Sequence, residues 1–409
     1  MIDEQTNNLI TKILAEETKD SRGNPTIKVT VWAGESQASF SVPSGASTGA
    51  HEAHVIEHNK AILKVNGTMS KALIGQDILN QKEIDRILIE LDGTPNKDNL
   101  GGNSMIGVSI ACAKTAAKVL DVEAYEHLRT LMEIKPSRKT PHLFMNLLEG
   151  GKHAHNDFCL AFQEYLLVSD TENISEAVEI GVRVQNTLKK IITRELGEES
   201  LRLGDEGGFA LKMADIRKPL VFLTEAIEKN NLQNKTRLAL DVAASSFYDE
   251  GTYKINGKDI SKEDLAGICE PLIKEFNLFS IEDAFNEEDF GSFAKLKKQN
   301  PNLLVVGDDL TASNKELLQK AIKSESVSAM IIKPNQIGTL TETLETMKLA
   351  RENNIELIIS HRGEETDDDF IADLAYAFNC FGLKAGAPTK PERMVKYERL
   401  IRITKIAGK

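Results

Sequence analysis

Near the start of the chain, TIKVTVWAG (Thr26 to Gly34) and QASFSVP (Gln37 to Pro43) each alternate apolar and polar residues, with Gly34, Glu35 and Ser36 between them. Alternation of period two around turn-forming residues predicts a β-hairpin. From Glu52 to Leu120 the spacing becomes helical, most clearly in NSMIGVSIACAKTAAKVL, where small residues suit close packing. The first part of the chain therefore reads as an α+β module. EIKPSRKTPHL (Glu133 to Leu143) interrupts the pattern with two prolines and several basic residues, which puts a boundary near Ser137. The expected domains are residues 1–137 and 138–409.

Beyond that boundary, short apolar runs (RLALD, LFSIED, LLVVGDD, AMIIK, IELIISHR, GLKAG) alternate with helical stretches such as KELLQKAIKS and TETLETMKLARENN. Strand and helix in alternation indicate parallel strands with helical crossovers. A polar residue closes one apolar run after another, at positions 241, 282, 308, 333, 360 and 384, and after the first interval each spacing is about one βα unit. In a (β/α)8 barrel, the ends of the strands so marked are where chemistry sits. A doubly wound open sheet fits the same pattern.

With 409 residues the chain can bury a large core. It carries 50 basic and 62 acidic residues, a formal charge of -12, so a nucleic-acid backbone would be repelled over most of the surface. No apolar run approaches the roughly 20 residues of a membrane span. The opening MIDEQTNNLITK lacks the features of a signal peptide, which points to the cytoplasm. Cys112, Cys159, Cys269 and Cys380 are scattered without a CxxC pair, as expected of reduced thiols.

Asp241, Glu282 and Asp308 end three successive apolar runs. Gathered at one barrel mouth they would repel one another unless a cation joined them, and an all-oxygen set favours Mg2+ over Zn2+. The alternative for each acid is capping of the following helix. Lys333 and Lys384 end the runs AMII and GL. A lysine confined near a metal and other cations loses its proton more readily, which suits a base. LGDEGGFA (Leu203 to Ala210) offers Asp205 and Glu206 beside two glycines that let the backbone approach a ligand. Metal, lysine base and opposed acid describe proton removal next to a carboxylate, with the enediolate held by the metal and a leaving group helped away. Two further patterns carry less. HVIEH (His54 to His58) fits the HxxEH form of inverted zinc peptidases but reads equally as a solvated helix face, with His51 on the same side. The glycines of PSGASTG and LGGNS do not form a GxxxxGK[ST] phosphate loop.

The ordered motifs DSRGNPT, PSGASTG, FQE, GDEGGFA, SIED, GDDLTAS, IKPNQIGTLTET, SHR and KAGAP, spread from Asp20 to about Ile403, make the chain resemble the enolase family. The resemblance implies an α/β fold, an enolase-type (β/α)8 barrel preceded by an α+β capping domain. It also implies a Mg2+-dependent lyase that dehydrates 2-phosphoglycerate to phosphoenolpyruvate in glycolysis. Carried over, Asp241, Glu282 and Asp308 would bind one Mg2+, and Ser47 would ligate a second. Lys333 would remove the C2 proton. Glu206 would help the C3 hydroxyl leave, with Glu164 beside it. His153, Gln163, His361 and Lys384 would contact the substrate, and Arg362 would hold its phosphate. A homodimer joined through the first domain is the family's usual assembly.

Several positions depart from the family's usual pattern. Gly363 and Glu364 stand where the family has Ser and Gly, which would put a carboxylate at the phosphate end. Glu149 replaces an Asn before the GG pair, Ser246 a Glu, and Lys390 and Pro391 an Arg and a Ser. Two extra residues before Gln163 leave His153 and His155 competing for one role, with GGxHA favouring His153. These changes leave open an enzyme acting on a related phosphonate, as carboxyphosphonoenolpyruvate synthase does. They also leave open a binding protein that engages plasminogen through Lys409. The acidic run Glu364, Glu365, Asp367, Asp368 and Asp369 is expected to start a helix, where negative charge suits the dipole.

Overall fold

The computed structural model describes residues 8–45, 51–154 and 160–408. Strands β1 (Ile10–Lys19), β2 (Pro25–Ala33) and β3 (Ser36–Ser41) form an antiparallel meander in that order. β2 and β3 are the hairpin that alternation predicts: Val31 pairs with Ala38 on one side and with Ile13 of β1 on the other. β1 itself is not legible as a strand. Its register shifts between Ile10 and Lys12, and pairs of exposed residues, Thr11 with Lys12 and Glu16 with Glu17, break the alternation. The helix Gly102–Val119 packs on this sheet so closely that a Cβ on Gly107 would stand 2.8 Å from Val29 Cγ2.

The barrel starts with β4 (His142–Glu149) and β5 (Glu164–Ser169). The short pair β6 (Arg202–Leu203) and β7 (Phe209–Ala210) joins its rim, and β8 (Thr236–Asp241) follows in the wall. A small separate sheet, β9 (Tyr248–Asp249), β10 (Thr252–Ile255) and β11 (Lys258–Ile260), fills the loop after β8. That excursion accounts for the long interval from Asp241 to Glu282. The wall continues through β12 (Ser280–Glu282), β13 (Leu304–Gly307), β14 (Ala329–Ile332), β15 (Glu356–Ser360) and β16 (Gly382–Lys384), and β16 pairs with β4 to close eight strands. The open-sheet alternative is thereby removed.

One strand departs from strict alternation. β5 runs antiparallel to both β4 and β8, so its first residue, Glu164, lies at the end where the other strands finish. Inside the barrel, Phe144, Leu166, Val168, Ala239, Val306, Ala329, Ile331 and Ile358 form a core of their own. Below them Phe279 and Phe381 stack at 5.8 Å between centroids, with His142 against both.

The acidic run after β15 does more than face a helix dipole. Asp368 Oδ1 accepts the N–H of Phe370 at 2.9 Å and Asp369 occupies the N-cap of the helix Phe370–Ala377, which fits that expectation. The other contacts are ion pairs over long sequence separations: Glu365 with Lys396 at 3.1 Å, Asp368 with Lys114 at 2.7 Å and Glu364 with Arg22 at 2.8 Å. Two of these partners, Arg22 and Lys114, belong to the first 137 residues, so the run ties the meander module to the barrel. No helix among the described residues is long and apolar enough to cross a membrane.

Candidate active site

The barrel wall delivers its polar residues to one end. Asp241 and Glu282 pair in register as the last residues of β8 and β12, Glu164 pairs with Asp241 and with Glu149, and Ser360 pairs with Lys384. The chain then turns sharply. Ala243, Asp283, Ala312 and Ser313, none of them glycine, take positive φ just past three strand ends. Such strained conformations are typical of binding sites and need surrounding contacts to hold them. At Asp283 the contacts are evident: its carboxylate accepts the N–H groups of Asp308 and Asp309 at 3.0 and 2.7 Å. The mouth encloses a cavity of about 370 Å3.

Two lysines organise the acids. Lys384 Nζ lies 2.8 Å from Glu282, 3.1 Å from Glu164 and 3.2 Å from Asp241. Burial opposes its charge, but these acids outweigh burial and hold its pKa well above the ordinary value. Lys333 pairs with Asp308. For Lys333, burial and the nearby Arg362 and Lys384 all work against the charge, yet Asp308 prevails and the pKa is raised. A carboxylate in direct contact thus acts more strongly on Lys333 than the cations farther off. Gln163 Nε2 donates to Asp241 at 3.3 Å.

Next to Lys384, Glu164 also belongs to a second cluster, in which His153, Glu164 and Glu206 bring ligand atoms within 4.8 Å of one another. Asn146 Nδ2 donates to Glu206 Oε2 at 3.0 Å, while His361 Nε2 lies 3.1 Å from Oε1. Arg393 settles the state of that histidine. Its Nη1 stands 2.6 Å from His361 Nδ1, and a guanidinium only donates, so Nδ1 accepts and the proton sits on Nε2, facing Glu206. Burial, against the pull of Glu206, takes His361 down to about 3. Burial also works to raise the Glu206 carboxyl, but His361, His153 and Arg393 hold it well below the usual range. Glu164 is pushed the other way, by burial and then by the charge of Glu206. The two neighbouring carboxyls are thus pushed in opposite directions, Glu206 down and Glu164 up.

Arg362 meets Glu52 at 2.9 Å and Asn335 Oδ1 at 3.1 Å, and it lines the same cavity together with Gly363. Glu364 does not. Its carboxylate turns to Arg22 and its main chain pairs with Ser44, so the carboxylate expected at the phosphate end points into the meander module. Ser47, His155 and Lys409 lie outside the described residues. The HVIEH pattern is not a metal site: His51, His54 and His58 approach three different acids, Glu288, Asp98 and Glu17, and the helix begins only at His58.

Sequence reading misses Asn146, Glu52 and Arg393. Arg393 is buried within the helix Pro391–Ala407, and its surroundings MVKYERL carry no sign of a site. For Asp283 the signal was present in SIED, since an acid directly after a metal-ligand candidate is itself buried.

Asp241, Glu282 and Asp308 are donors of the type a hard divalent cation takes, but the acids whose oxygens converge within 4.8 Å are Asp283, Asp308 and Asp309 rather than these three. The donors are all carboxylate oxygens on strand ends, and Asp308 Oδ1 is buried without a hydrogen-bond partner. The positive charge that such converging acids require is provided here by Lys384 and Lys333. Asp308 is shared between the two sets.

Comparison with known proteins agrees with this arrangement. Residues 138–409 match the family model described as enolase, C-terminal TIM barrel domain, and residues 10–128 match the enolase N-terminal domain. The chain is 41% identical to an enolase of Methanocaldococcus jannaschii over 98% of its own length and 96% of the relative's. It is 40% identical to an enolase of Campylobacter lari over 97% of each. Against an enolase of Methanococcus aeolicus the identity is 39%, covering 98% and 96%.

Proposed function

The chain belongs to the enolase family and dehydrates 2-phosphoglycerate to phosphoenolpyruvate, and we propose that the residues at its barrel mouth divide that reaction as follows. Lys333 Nζ, once neutral, takes the proton from C2. Lys384, set among three acids, balances the substrate carboxylate as negative charge builds on it. Glu164 and Glu206 serve as a pair: Glu206 accepts from Asn146 with His361 Nε2 3.1 Å away, and Glu164 supplies the proton that the pair delivers to the departing C3 hydroxyl. His153 lies between them, 3.6 Å from Glu164 and 3.8 Å from Glu206. Gln163 orients Asp241, and Arg362 receives the phosphate. Mg2+, when held by Asp241, Glu282 and Asp308 with a second ion expected at Ser47, supplies positive charge for the enediolate and offsets the Asp308 charge that keeps Lys333 protonated.

The observation that carries this division is the gathering of Glu164, Asp241 and Glu282 around one ammonium, with Lys333 on Asp308 beside it. The turn of Glu364 towards Arg22 takes its carboxylate away from the phosphate end, and no observation favours a phosphonate substrate or plasminogen binding through Lys409. We place the domain division at residues 1–137 and 138–409. Cytoplasmic location is supported by the free buried thiols of Cys112, Cys269 and Cys380. A homodimer through the first domain is proposed on the family membership alone. Turnover of 2-phosphoglycerate that disappears with a chelator and returns with Mg2+ is the expected result. Purified, folded protein inert towards 2-phosphoglycerate in excess Mg2+ would overturn the assignment.

A further inference from the structure

Glu149 is fully buried at the end of β4, next to Glu164 in register. Among the described residues no cation comes within ion-pair distance of it. Its carboxyl instead meets main-chain donors: Oε1 accepts the N–H of Gly208 at 2.6 Å and of Glu206 at 3.2 Å, and Oε2 lies 3.3 Å from that same Glu206 nitrogen. The two outer glycines of GDEGG make room for it. A Cβ on Gly204 would stand 2.0 Å from Glu149 Oε2, and one on Gly208 would stand 3.0 Å from Glu149 Cγ. The turn that carries Glu206 is therefore moulded around the Glu149 side chain.

We propose that Glu149 is a positioning residue for the elimination step: its carboxyl grips the backbone of the 204–208 turn and thereby aims the Glu206 side chain. The proposal rests on Glu206 acting in loss of the C3 hydroxyl. Burial, and then the charge of Glu206, raise the Glu149 carboxyl well above the usual range. One of its oxygens accepts both N–H groups, and an amide oxygen can do the same.

Two readouts separate positioning from a general packing role. Elimination is followed as formation of phosphoenolpyruvate, and Lys333 chemistry as exchange of the C2 proton of 2-phosphoglycerate with solvent deuterium. Glu149→Ala releases the turn, and a shift of about 1 Å in a catalytic group costs on the order of 100-fold. Elimination should fall by that factor while exchange stays within roughly 10-fold. Glu149→Gln should restore elimination to within roughly 10-fold of the native rate because its amide oxygen accepts the same bonds. Equal loss of exchange and elimination in Glu149→Ala, or failure of Glu149→Gln to restore elimination, would overturn the proposal. Glu206→Gln run in parallel isolates the premise. If it eliminates normally, the role given to Glu206 is wrong; if it is blocked while Glu149→Ala is not, only the positioning role is wrong.

Discussion

Lys396→Met tests the account of the acidic run after β15. Lys396 is 1% exposed and Glu365 3%. The ammonium donates to the carbonyls of Thr366 and Glu392 at 2.5 and 2.7 Å and meets Glu365 Oε2 at 3.1 Å. Removing it leaves a buried carboxylate without this cation, and breaking one side of a buried pair typically costs about 3–5 kcal/mol. Burial already raises the Glu365 carboxyl, so protonation sets an upper bound on the loss. Glu365→Gln removes the charge itself, and the double variant should lose about 2 kcal/mol less than the sum of the two single losses. Urea unfolding at pH 7 followed by circular dichroism measures all three. If Lys396→Met costs under about 1 kcal/mol and the two changes simply add, the run is a solvated helix start after all.

Arg362→Met should weaken binding of 2-phosphoglycerate by about 10–100-fold, since charged hydrogen bonds to a phosphate contribute roughly 1.5–3 kcal/mol; titration calorimetry reads this directly. His127 is buried, and burial depresses its pKa below 6.5. Below that pH the unfolded chain takes a proton that the folded chain refuses, so stability falls with pH by up to about 1.4 kcal/mol per unit. His127→Gln should make the stability curve shallower by up to that amount between pH 5 and 6.5, and an unchanged slope would show that this histidine is protonated in the fold.

The parts of the molecule legible in the sequence are those where a local period or a chain of strand ends repeats. β2 and β3 alternate cleanly, and each apolar run from RLALD to GLKAG ends in a residue that the wall carries to the mouth. β1 was hidden by its irregular register, and the reversal of β5 left no trace because direction does not alter a strand's period. The contacts that set protonation were hidden for another reason: Arg393 with His361, and Asp308 with Lys333, join residues from different elements. The partner of Lys333 was hidden because sequence order shows the lysines and acids of the mouth but not which carboxylate each one touches. Glu364 was misread likewise, since its partner Arg22 is remote in the chain.

The central claim is that Lys333 takes the C2 proton at a mouth whose acids hold Mg2+. Exchange of the C2 proton of 2-phosphoglycerate into deuterated water, measured by proton NMR on Lys333→Ala in saturating Mg2+, tests it directly. The account predicts loss of exchange in a protein that stays folded and binds the substrate. Exchange at the native rate in that variant would contradict it.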